Sequence, residues 1–169
     1  MSVVYTVGYE GTDIERFVAT LKAAGITQLA DVRAVALSRK KGFSKTKFSE
    51  RLMAEGIEYL HVIGLGDPKP GREAARAGRY EEFEKIYREH LRASVAERDM
   101  KILQSYVRKG PTALLCFERD PVTCHRTIIA EKLASDLGVE VFNLYADEPQ
   151  KYVRNADKMP TFNYDIAAE

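Results

Sequence analysis

The chain has 169 residues, with 26 Lys and Arg against 25 Asp and Glu and a formal net charge of +1. Hydrophobic and charged fractions of 45% and 30% describe a folded globule rather than a disordered chain, and the length suits one domain with a full hydrophobic core. The balanced charge excludes a uniformly basic nucleic-acid coat protein, two cysteines exclude a disulfide scaffold, and no apolar run reaches the roughly 20 residues that cross a bilayer.

The opening segment, MSVVYTVGYEG, lacks a basic stretch followed by a long apolar one. No secretory signal is therefore expected, and reduced thiols in a cytoplasm are the expectation for this chain. Val3 to Val7 reads as a first strand, ending in Gly8-Tyr9-Glu10-Gly11. Thr12-Asp13-Ile14-Glu15 has the form of a capping box, which predicts a helix start. A local pattern then recurs four times: a helix-like segment, a glycine, and a short β-rich run. It appears as LKAAGITQLADV around Gly25, LMAEGIEYLHV around Gly56, YVRKGPTALLCF around Gly110 and LASDLGVEVFNL around Gly138. Glycine just past a helix takes the left-handed conformation without a Cβ penalty.

The second strand ends in Asp31-Val32-Arg33 and leads into a basic stretch, where Ser44 is placed to cap a helix and Phe43 and Phe48 to form its hydrophobic staple. The third strand ends near His61, before Gly64-Leu65-Gly66. An insertion of about residues 66–110 follows, opening with GLGDPKPGRE and continuing as one or two helices. Within it Tyr80, Phe83, Tyr87 and Leu91 form a stripe at helical spacing, the pattern of a packing face. The fourth strand ends in Cys116-Phe117-Glu118. Thr123 is placed to cap a helix that carries Ile128, Ile129, Leu133 and Leu137, and a fifth strand follows Gly138. Strands alternating with helices predict a three-layer, Rossmann-like α/β domain: a mainly parallel sheet of about five strands with a helical insertion before the fourth. The domain is expected to span 1–148. The tail 149–169, marked by Pro149 and Pro160, is expected to pack on the domain or on a partner.

Charge is unevenly spread. Residues 33–51 hold seven basic side chains and one acidic one, a net of +6 within a chain of net +1, so the remainder is mildly acidic. Such a patch attracts anions through local rather than total charge. In an open parallel sheet ligands bind beyond the carboxyl ends of the strands, and the strand ends here are polar. Asp31, Cys116, Glu118 and His125 are therefore candidate catalytic groups, for proton transfer or for thiol chemistry. Gly8, Tyr9, Glu10, Gly11, Arg33, Ser38, Arg39, Lys41, Cys124 and Arg126 are candidate ligand contacts. Cys124-His125-Arg126 falls in the first turn of a predicted helix, where the helix dipole disfavours cations. Arg126 thus calls for neutralisation by Glu118 or Asp31, or by a bound anion. No metal and no cofactor is expected: there is no CxxC pair and the three histidines are scattered along the chain.

TVGYEG (6–11), ADVRAVALSRKKGFSK (30–45), GIEYLHVIGLG (56–66) and LLCFERDPVTCHRTIIAEKL (114–133) together resemble the bacterial and archaeal family catalogued as domain of unknown function 488, with Ala36 standing where that family carries a proline. The resemblance implies a compact α/β domain with these motifs gathered at one face, and it implies no activity. DVR at 31–33 and the strand, cysteine loop, arginine and helix that follow Leu114 also resemble rhodanese-like sulfurtransferases, which would make Cys116 the sulfur carrier and Arg126 an anchor for the substrate anion. Three functions are compatible with these residues. The first is binding of, or hydrolytic or transfer chemistry on, a phosphate-bearing or other anionic ligand, either a small molecule, a nucleotide or a nucleic acid met through the patch 33–51. The second is cysteine-dependent sulfur or phosphoryl transfer. The third is a non-catalytic regulatory or interaction domain in which Asp31, Arg33, Glu118 and Arg126 satisfy one another.

Overall fold

In the computed structural model, which describes residues 2–160, five strands form a single sheet: β1 (Val3–Gly8), β2 (Gln28–Asp31), β3 (Glu58–His61), β4 (Thr112–Cys116) and β5 (Glu140–Tyr145). All pairings are parallel, in the spatial order β3-β2-β4-β1-β5. The connections are α1 (Ile14–Ala23), α2 (Lys45–Ala54), α3 (Lys69–Arg76), α4 (Tyr80–His90), α5 (Ser94–Lys109) and α6 (His125–Leu137), with α7 (Gln150–Arg154) after the last strand. The architecture is the three-layer, Rossmann-like arrangement implied by alternating strands and helices.

The two-residue period of the strands divides the interior. Val4, Ala30, Leu114 and Cys116 face a core completed by α3, α4, α5 and α6. Val3, Tyr5, Val7, Leu29, Ala113 and Leu115 face the other core, completed by α1, α2 and α7. Both faces are covered, as an all-parallel sheet requires. The second core contains an aromatic cluster in which Phe43 stacks on Tyr9 at 4.7 Å and meets Phe17 and Phe48 at 5.2 and 5.4 Å. Phe43 and Phe48 flank the start of α2 as a hydrophobic staple does.

Local differences from the sequence reading have identifiable causes. Gly25, Gly56 and Gly138 adopt left-handed φ values, but Gly110 is extended at φ 177. Pro111 follows it, and a proline pushes the preceding residue away from helical geometry. Asp13 rather than Thr12 caps α1, accepting from the Arg16 amide, while the Thr12 hydroxyl is drawn to the Ala146 carbonyl. Ser44 stands at the cap position of α2 but spends its hydroxyl on Ser38, donating to its carbonyl and accepting from its amide. Thr123 belongs to a 3-10 turn, and Cys124 precedes α6. The insertion holds three helices rather than one or two. Of its stripe, Phe83 and Tyr87 are buried and Leu91 packs against the core, whereas Tyr80 is exposed. In the tail, Tyr152 is buried and its hydroxyl accepts from the Tyr145 amide. The rest of the expected packed tail, 161–169, lies outside the described residues.

Candidate functional site

Leaving β1 the chain enters α1 on one face of the sheet, and leaving β4 it enters α6 on the other. Two adjacent strands whose connections depart to opposite faces open a crevice at their carboxyl ends, where doubly wound sheets bind ligands. A cavity of about 630 Å³ occupies this position.

On the β1 side, the Gly8-Tyr9-Glu10-Gly11 loop contributes shape. A Cβ on Gly8 would lie 1.8 Å from the Glu118 carbonyl oxygen, so glycine is required for the close approach of the two loops. Gly11 supplies a left-handed turn. The Glu10 amide donates to Phe117 O and the Thr12 amide faces Tyr9 O, while the Glu10 carboxylate accepts from the Arg119 amide. The loop therefore ties β1 to the loop after β4, and Tyr9 lines the cavity.

Asp31 and Arg33, at the end of β2, form a buried bidentate ion pair. Arg33 Nε and Nη2 donate to the two carboxylate oxygens at 2.9 and 2.8 Å, and Tyr59 donates its hydroxyl to the same group at 2.5 Å. Arg33 Nη1 donates to Phe43 O at 2.7 Å. Desolvation opposes the Arg33 charge but the Asp31 carboxylate outweighs it and holds the guanidinium above its ordinary range. Arg33 touches the cavity with its charge already matched.

The loop after β4 brings two thiols, a carboxyl and an imidazole together. Cys116 donates to Glu118 Oε2 at 2.8 Å and lies 3.7 Å from His125 Nδ1; Cys124 lies 3.8 Å from the same nitrogen. Both thiols are free and buried. His125 donates from Nε2 to the Val32 carbonyl at 2.6 Å, which turns Nδ1 toward the sulfurs. Tyr87 packs edge-on against its ring at 5.1 Å. Burial pushes Cys116 up. Burial opposes ionisation of Cys124 too, but a hydrogen bond from Cys116 and the nearby His125 and Arg126 outweigh it and bring Cys124 below the ordinary thiol range. Burial, reinforced by charge at Cys124, lifts Glu118 to about 7. His125 is disfavoured as a cation by burial, yet Cys124 raises it to about 9. Cys116, Glu118 and His125 line the cavity; Cys124 sits behind them.

Arg126 is fully buried in the first turn of α6, as its place in the sequence suggests, but it pairs with neither Glu118 nor Asp31. It donates to the carbonyls of Glu118 and Arg119 at 2.5 and 3.3 Å, and its Nε has no partner. A mutual network of Asp31, Arg33, Glu118 and Arg126 is thus half formed, in its first two members. Arg126 instead braces the loop between β4 and α6. That loop offers no open row of amides such as a rhodanese-type cradle needs. Its Arg119, Val122 and Cys124 amides donate to Glu10, Asp120 and Pro121.

The basic stretch points elsewhere. Arg39 and Lys41 are exposed and outside the cavity lining, whereas Ser38 lies within it. Lys40 donates to Thr12 O, and Arg51 pairs with Glu15 and Glu55. The insertion supplies cavity groups that sequence reasoning missed: Arg72 and Arg76 from α3, and Asp67 just before it. Burial raises the Asp67 carboxyl to about 6, against the pull of His125 and Arg72, and its Oδ1 is unpartnered. The helical spacing of Arg72 and Arg76 is visible in the sequence, but nothing there places α3 beside the cavity.

A family model described as domain of unknown function DUF488 matches residues 13–133. No curated protein and no solved structure matches the chain. Among the described residues no helix is long and apolar enough to cross a membrane.

Proposed function

Since the chain belongs to the DUF488 family, whose description assigns no activity, the site itself must supply the reading, and we propose that it binds a small anionic molecule at the carboxyl ends of β1, β2 and β4 and performs hydrolytic or group-transfer chemistry on it. One observation carries this: a single cavity is lined both by Arg72 and Arg76 and by Cys116, Glu118 and His125. Arg72 Nη1 donates to the Asp67 carbonyl at 2.8 Å, and beyond the nearby Asp67 carboxyl no carboxylate pairs with either guanidinium among the described residues, so the two suit a phosphate or carboxylate. Phe83, Phe117, Val35 and Leu37 add apolar walls, which favour a ligand with a carbon skeleton over a bare ion. Glu118 and His125 are within reach of such a ligand as proton-transfer groups.

Thiol transfer through Cys116 is the second reading, favoured by the place of Cys116 in the cavity lining. Burial raises its pKa, which works against an unassisted nucleophile. A folded nucleic acid is less suited than a small molecule, because the exposed cations of 33–51 lie outside the cavity.

The test is calorimetric titration of the full chain with inorganic phosphate, sugar phosphates, nucleotides and short oligonucleotides at low and physiological salt. Saturable binding of a small phosphate compound, weakened at least tenfold in the Arg72→Gln/Arg76→Gln variant, supports the proposal. Binding of oligonucleotides alone, with the steep salt dependence of counterion release, or no binding at all, overturns it.

A further inference from the structure

We propose that Cys116, Cys124 and His125 form a binding site for a single thiophilic divalent cation of the zinc type. Their ligand atoms, Sγ, Sγ and Nδ1, all lie within 4.8 Å of one another and all three residues are buried. With metal–sulfur and metal–nitrogen bonds of about 2.3 and 2.0–2.1 Å, a tetrahedral centre separates sulfur from nitrogen by roughly 3.6 Å. The two sulfurs stand 3.7 and 3.8 Å from Nδ1, so both edges already have the required length.

The imidazole is set up for the role. Its Nε2–H is committed to the Val32 carbonyl at 2.6 Å, so Nδ1 faces the sulfurs and exchanges its proton for the cation when one binds. A backbone carbonyl holding the far nitrogen is the usual outer support of a metal-bound histidine. Two soft sulfurs and an imidazole select zinc-like ions over magnesium and calcium, which demand oxygen. Two thiolates cancel the charge of a dication, so the complex adds no net charge beside the buried guanidinium of Arg126.

Three protein ligands with one side open are the arrangement of a metal that meets a substrate rather than a closed structural site. The open side here is the cavity, which Cys116 and His125 line together with Glu118. The ligand spacing, Cys-x7-Cys-His, escapes a search for paired CxxC motifs because the 3-10 turn of 121–123 folds Cys124 back against Cys116. This inference deepens the proposed function, since the cation would stand beside the anionic ligand, but its test uses no such ligand. Anion binding is measured separately in the presence of a chelator, so either idea can fail alone.

The experiment is titration of the reduced, chelator-stripped full chain with cobalt(II), followed by displacement with zinc(II). The expected result is one equivalent of cobalt with the intense visible bands of a tetrahedral centre and thiolate-to-cobalt charge transfer, displaced by zinc. Zinc should also protect both cysteines from alkylation, and Cys116→Ser and Cys124→Ser should each weaken zinc binding at least about 100-fold, beyond the losses typical of outer-shell changes. The alkylation readout stands on the unmodified chain should a variant fail to fold. Weak octahedral cobalt bands, alkylation rates unaffected by saturating zinc, or unchanged affinity in folded serine variants would overturn the proposal.

Discussion

Replacing Asp31 by Asn separates a structural from a ligand-binding role for Arg33. The Asp31 side chain is fully buried and Arg33 is 5% exposed. The carboxylate accepts from Arg33 Nε and Nη2, from the Arg33 amide at 3.1 Å and from the Tyr59 hydroxyl. An asparagine amide turns one of these acceptors into a donor facing a donor, and it leaves a guanidinium charge buried without its counter-ion. Breaking such a pair costs about 3–5 kcal/mol. In a domain of this size each kcal/mol moves Tm by about 2–4 °C, so the expected fall is roughly 6–20 °C. Arg33→Met strands the carboxylate and should cost a similar amount. The double variant Asp31→Leu/Arg33→Met removes both charges together and should lose markedly less than the sum of the two singles. Urea unfolding with an unchanged m-value is the assay. Single variants that each cost under about 1 kcal/mol and add in the double would refute the reasoning, and would return Arg33 to the list of groups held for a ligand.

Three further outcomes are expected. Burial holds the Asp67 carboxyl near 6 in the fold against 3.8 for the free side chain; a raised folded pKa means stability that is present below 3.8 and lost as pH rises through 6, so Asp67→Asn should flatten the stability profile over that window and gain up to about 2–3 kcal/mol at pH 7–8, as read by denaturant titration across pH. Gly8→Ala puts a methyl group 1.8 Å from a backbone oxygen, so it should cost at least about 1–3 kcal/mol by thermal melting, with the loops of β1 and β4 forced apart. Phe43→Ala empties the centre of the aromatic cluster against Tyr9, Phe17 and Phe48 and should cost about 3–5 kcal/mol in urea unfolding; a loss below 1 kcal/mol would show that the loop 33–44 is not anchored by this ring.

The sheet was legible because its signals are local. The apolar runs of Val3–Val7 and Thr112–Cys116 and the glycines at 25, 56 and 138 each depend on a few neighbouring residues. Gly110 departs from the pattern for a reason also present in the sequence, the proline after it. The polar strand ends were legible as a set, since a parallel sheet gathers its carboxyl ends at one edge. Their pairings were not. Asp31 takes Arg33 two residues away rather than Arg126, because their side chains meet under Phe43 and Tyr59. Arg126 is satisfied by the carbonyls of its own loop, a choice that depends on the path of 118–124 and not on residue type. Cys116, Cys124 and His125 converge for the same reason. Arg72 and Arg76 reach the cavity because α3 packs on α4 beside it, a tertiary placement that no local pattern encodes.

The central claim, that the strand-end cavity rather than the exposed basic surface receives the ligand, is tested most directly by amide shift mapping. The full chain would be titrated with the small phosphate compound that binds tightest and followed by two-dimensional NMR. Shifts concentrated at Ser38, Asp67, Arg72, Glu118 and Thr123 are the predicted result. Shifts confined to Lys41, Lys45 and Lys47, with the cavity amides unmoved, would contradict it.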